Sequence, residues 1–154
     1  MNNKRIRWHG LIGRISNGVI ASCITYGLAS IAHSHYVLVH LERMGVSVAL
    51  SDRLRMTLGD LAGLYAYAMV ITIGLIIGWA IMAGIRRLFS VSRWLVYPLG
   101  GLLSMAFIMA AMSMAFPMTP LAPARDAAGI LGQCIAGLLG GVVFAWLQTR
   151  KFER

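Results

Sequence analysis

Between Ala128 and Gln148 the chain reads AGILGQCIAGLLGGVVFAWLQ, without one charged side chain. A stretch of that length and polarity crosses a bilayer as a helix. Wound at ~100° per residue, it separates into two faces. Gly129, Gly132, Gln133, Ala136, Gly137, Gly140 and Gly141 share one side, and Leu131, Ile135, Leu138, Leu139, Val142 and Trp146 the other. Lipid accepts the second face. The first is a groove of small residues into which another helix backbone fits, with Gly137 and Gly141 as a GxxxG pair. Hydrocarbon gives helices no hydrophobic reason to meet, so such grooves associate by close packing and weak hydrogen bonds.

Composition agrees. Of 154 residues, 58% are hydrophobic and 12% charged, against roughly 25% charged in soluble domains. Mean hydropathy is +0.74. Cys23 and Cys134 sit in apolar runs with no CxxC and no metal spacing, so they read as small packing residues.

The spacing predicts an all-α, polytopic membrane protein, a bundle of four transmembrane helices in a single domain, 1–154. Residues 1–14 form a basic arm, with Trp8 suited to the interface. Ile20-Ala21-Ser22-Cys23 looks like a lipoprotein cleavage box. Arg14, Ser16 and Asn17 interrupt the apolar run it would need, so no cleavage is expected. The spans are expected near 16–40, 58–85, 94–116 and 126–148.

The first span is the most polar. Gly18, Ser22, Thr25, Tyr26, Ala29, His33, Tyr36 and His40 share a face, opposite Ile20, Ile24, Leu28, Ile31 and Leu38. His35 points away from His33. Residues 41–57 mix charge with apolar side chains and read as a loop with an interfacial turn, Ser51 capping the next helix. In the second span Asp60, Gly63, Tyr67, Gly74 and Gly78 align, and Gly74 and Gly78 form another GxxxG. In the third, Pro98, Gly101, Met105, Met109, Met112 and Phe116 form one stripe, with Gly100, Ser104, Ala111 and Ala115 beside it. The three prolines of PMTPLAPARD mark a tight connection, and Asp126 can cap the last span.

Basic residues in short loops set orientation. Lys4, Arg5, Arg7, Arg14, Arg86, Arg87, Arg93, Arg150, Lys151 and Arg154 fall on one side, and only Arg43, Arg53, Arg55 and Arg125 on the other. Both termini are therefore expected in the cytoplasm. The net charge of +9 is explained by this asymmetry, and no motif supports a nucleic-acid role. Compact loops with so clean a bias fit a bacterial inner membrane.

Counting ~1.5 Å of rise per residue from the outer helix ends places His33, Tyr67, Met109 and Gln133 at one depth, roughly 10–13 Å inside. His40 and Asp60 lie nearer the mouth. The sharp reading is an outward-facing polar pocket with His33 as ligand, base or proton carrier. The bland reading is a satisfied polar layer, in which His33 bonds Tyr67 or Gln133 and fixes helix register, and it is preferred here. Met105, Met109 and Met112 near His33 invite Cu(I), but methionine is more often a flexible core filler. No metal site and no cofactor is expected. All histidines lie in residues 9–40, which leaves haem no second helix.

With no catalytic constellation visible, the leading reading is a small scaffold or accessory subunit. It would associate through Gly74, Gly78, Gly132, Gly137, Gly140 and Gly141 as a homo-oligomer or in a larger membrane complex. A small transporter or channel-like protein with an outward pocket is the alternative, and a membrane metal handler or enzyme comes third.

Overall fold

The structure is a computed structural model. It describes the backbone of residues 2–45, 48–115 and 127–150, and the side chains of 13–45, 48–115 and 127–149. Those residues contain five helices and no strand: α1 (Asn2–Arg43), α2 (Leu50–Gly63), α3 (Tyr65–Phe89), α4 (Arg93–Ala115) and α5 (Ala127–Arg150). Four of the helices hold segments long and apolar enough to cross a membrane: Gly13–Arg43, Tyr65–Phe89, Arg93–Ala115 and Ala127–Thr149. Phe116, the PMTPLAPARD connection and the Asp126 cap lie outside the described residues.

The four long helices form a ring in the order α1, α5, α4, α3, and each packs against the two beside it. The tightest seam is α4 on α5. A Cβ on Gly101 would run into the Gly137 carbonyl, one on Gly137 into the Gly101 carbonyl, and one on Gly141 into the Tyr97 carbonyl. Only glycine lets the two backbones touch here. Gly140 meets the Thr25 side chain of α1 in the same way, and Gly78 meets Ser104 of α4. At Gly74 an added Cβ would lie 2.7 Å from Ile108 Cδ1, the movable end of a side chain. Gly132 differs, since a Cβ there would lie 3.7 Å from the Ala32 methyl, an ordinary contact. It faces Ala32 of α1 but forms no close approach.

Large side chains fill the ring where glycine does not. Tyr67, Ile71, Leu75 and Trp79 recur every four residues and are the buried stripe of α3. Trp79 stacks on Phe144 with centroids 4.3 Å apart and planes 6° apart, and Tyr97 meets Phe144 edge-on at 4.9 Å. The Trp79 indole N–H donates to the Tyr97 carbonyl at 3.2 Å. The indole therefore brings no unsatisfied donor into the apolar interior.

Two expectations need correction. The second span does not run unbroken over 58–85: the helix breaks at Leu64, whose φ of −84° and ψ of 33° leave the α region. Nor are residues 41–57 a loop with a turn, because α2 begins at Leu50 behind Ala49, ahead of Ser51. This helix runs back along α1. Arg53 pairs with Glu42 at one end, and Tyr26 donates to the Leu61 carbonyl at 2.8 Å at the other. The last carbonyls of a helix lack intrahelical donors, so the Tyr26 hydroxyl supplies one where the break removes it.

The extra packing widens the buried face of α1. Alongside Gly18, Ser22, Thr25, Ala29 and His33, it takes in Ser30, Ser34 and Leu38. Tyr26, Ser30, Ser34 and Leu38 form a second seam at four-residue spacing, turned toward α2. Leu38, assigned to lipid by pattern alone, is 4% exposed.

A polar layer between α1, α2, α3 and α5

The expected polar residues form two small groups. In the first, the Tyr67 hydroxyl donates to Gln133 Oε1 at 2.9 Å. Gln133 Nε2 in turn donates to the Ala29 carbonyl at 3.0 Å. This chain ties α3 to α5 and α5 to α1 inside the ring. Gln133 is 0% exposed and Tyr67 3%, so no water is at hand to replace these bonds. The Ala29 carbonyl already belongs to the α1 ladder and accepts from Gln133 with its second lone pair.

The second group lies between α1 and α2. His33 is buried, and His35 is exposed, as the helical phase requires. The depth match pairs His33 with Tyr67 or Gln133, and the structure corrects this. Those two satisfy each other, and His33 faces Asp60 instead, with Nε2 4.0 Å from Oδ2. The same carboxylate oxygen accepts from Ser34 Oγ at 2.8 Å. The other ring nitrogen, His33 Nδ1, is buried with no hydrogen-bond partner, as are Ser22 Oγ and Ser30 Oγ. Asp60 thus joins the layer rather than standing above it, because α2 packs back along α1.

Met109 is 0% exposed, as is Met105, and both lie in the apolar core. They fill space beside the polar chain. His40 is not brought into either group. Two turns beyond His33, its Nδ1 lies 2.9 Å from the Tyr36 carbonyl and its ring 4.2 Å from that of Tyr36. Among the described residues no three His, Cys, Asp or Glu side chains converge as metal ligands.

Ser34 and Tyr26 take part in this group although helical periodicity gives neither a partner. Ser34 sits one position past His33, on the shoulder of the polar face. Only a helix packed on that shoulder engages it, and α2 is that helix. The arrangement can hold register between four helices, and its Asp60–His33 pair can hold a proton. The described cavity, about 300 Å³ in volume, lies elsewhere, around Trp79, Tyr97 and Phe144. The chain matches no family model, no curated protein and no solved structure, so only its own residues bear on what it does.

Proposed function

We propose that this integral membrane protein is a small scaffold or accessory subunit. Its interior is structural, and its outer surface carries the association. The observation behind this reading is the closed polar layer. Tyr67, Gln133 and Met109 are packed at 3%, 0% and 0% exposure in the place where an outward-facing transport pocket would have to open.

The close-contact glycines expected to carry that association are used within the chain instead. Gly78, Gly137, Gly140 and Gly141 are occupied by helices of the same chain, so association with other chains falls to another surface. The α1–α2 hairpin fits that role. No residue of α2 is buried, and Leu50, Leu54, Leu58 and Leu61 are 73%, 59%, 64% and 44% exposed along one side. Asp52, Arg53 and Arg55 lie at the same end, so the hairpin offers apolar and charged groups together.

The test is the mass of the intact protein extracted in a mild detergent, with a Leu54→Glu/Leu58→Glu variant beside it. A stoichiometric assembly, with itself or a second subunit, that the variant dissociates is the expected result. A monomer retaining a solute that Asp60→Asn or His33→Ala releases would overturn the scaffold reading in favour of the transporter.

A further inference from the structure

A cavity of about 300 Å³ lies at the other end of the ring, lined by residues of α1, α3, α4 and α5. Its floor is aromatic: Trp79, Tyr97 and Phe144, all buried. Its exposed rim comes from α1 and α3 alone. Arg14 and Ile15 stand on one side, and Ala80, Gly84 and Arg87 on the other. Ile76, Ala80, Ala83, Gly84 and Arg87 fall on one helical stripe of α3. The trough along it is about 16 Å long from Arg87 to Ile76. Small side chains keep it open, and a Cβ built on Gly84 would meet nothing within 4 Å.

The charges are lopsided. Two guanidiniums flank the mouth, and among the described residues neither pairs with a carboxylate. The described acids, Glu42, Asp52 and Asp60, all belong to the opposite end of the bundle. The mouth opens on the side of two helices long and apolar enough to cross a membrane, so a lipid can enter it from the side. A ligand matched to this shape has an anionic head for two planar forks, which suit phosphate oxygens, and an apolar tail for a largely apolar trough with an aromatic floor. Basic pockets between transmembrane helices hold anionic lipid head groups by this physics.

We propose that the trough between α1 and α3 is a binding site for an anionic phospholipid. Arg14 and Arg87 hold the phosphate, and an acyl chain lies along Ala80, Ala83 and Ile76 over Trp79. The site is independent of the scaffold reading, since it uses no residue of α2 and none of the polar layer.

The experiment is native mass spectrometry of the full chain from micelles doped with phosphatidylglycerol or with phosphatidylcholine of the same acyl chains. Both lipids carry the phosphate, but the choline cation of phosphatidylcholine offsets its attraction to the two guanidiniums. The intact protein is therefore expected to retain phosphatidylglycerol over phosphatidylcholine by up to roughly thirtyfold, the combined weight of two basic side chains. Arg14→Gln/Arg87→Gln should abolish that preference, and Arg14→Lys/Arg87→Lys should keep most of it. Gly84→Leu places a side chain in the open trough and should lower retention of both lipids without changing the melting temperature. Inorganic phosphate at millimolar concentration should displace neither. Equal retention of the two lipids by the intact protein, a Gln variant that keeps the preference, unchanged retention by Gly84→Leu, or displacement by free phosphate would each overturn the assignment.

Discussion

Gly137 and Leu139 stand two residues apart on α5 and should respond oppositely to substitution. Gly137 lies against the Gly101 carbonyl and the Met105 side chain, while Leu139 is 43% exposed on the outer face. A leucine at 137 must push two backbones apart, and overpacking of this kind costs about 1–3 kcal/mol or more. Leu139→Ala trims a side chain on the exposed outer face, which is expected to cost less than about 0.5 kcal/mol, as at other surface positions. Unfolding in detergent by heat or by SDS reads both, and equal tolerance at the two sites would overturn the face assignment. Leu138 is a poorer control than Leu139, being half-buried. The small-residue face of α5 was legible in the sequence because glycines line up along a membrane span chiefly where another backbone approaches closely. The partner of His33 was not. Periodicity places His33 on the interior side of α1 but cannot say that Tyr67 and Gln133 will satisfy each other. It also cannot say that Asp60 will be carried to within 4.0 Å of His33 Nε2.

At the scale of elements, the break at Leu64 is what the pattern hid. No proline marks it. Gly63 precedes it, but an isolated glycine in a helical pattern is tolerated. Apolar residues continue across it in the order Leu61, Ala62, Gly63, Leu64, Tyr65. The helical ladder resumes with the Ala68 amide on the Leu64 carbonyl at 3.0 Å. The turn between is held by Tyr26, whose hydroxyl lies 2.8 Å from the Leu61 carbonyl and 3.4 Å from that of Asp60. Tyr26→Phe removes this donor while leaving the ring in place. The expected loss is about 1 kcal/mol, the net worth of one such bond, confined to the docking of α2 on α1. Hydrogen exchange should read it as roughly fivefold faster exchange across Leu50–Gly63, with α4 and α5 unchanged. A uniform increase over all helices would instead show that Tyr26 supports the whole ring. The same packing explains why Leu38 is buried against its pattern: the outward face of a helix is outward only until another helix covers it.

For the whole molecule, the number of crossings and the placement of charge combine into one expectation. α2 and α3 are expected to make a single pass despite the break, because α2 lies antiparallel to α1 with Glu42–Arg53 at one end and Tyr26–Leu61 at the other. The α1–α2 turn and Ser51 therefore lie at the end opposite Ser90, which follows α3 with a left-handed φ of 51° and is flanked by Arg86, Arg87 and Arg93. Short loops rich in Lys and Arg stay in the cytoplasm. A periplasmic phosphatase fused at Ser51 is thus expected to be active and one at Ser90 inactive, and a fluorescent protein at the C-terminus should fold and fluoresce. The reverse pattern would invert the chain. The fusions also bear on the trough beside Arg14 and Arg87, which shares the Ser90 end of the bundle. With Ser90 inside, its mouth opens to the cytoplasmic leaflet, where anionic lipid gives a surface potential that draws basic side chains. With Ser90 outside, the same residues would have to recruit lipid from the opposite leaflet, and Ser51 at the start of α2 would lie on the cytoplasmic side instead. One pair of reporters therefore fixes which compartment each end of the molecule addresses.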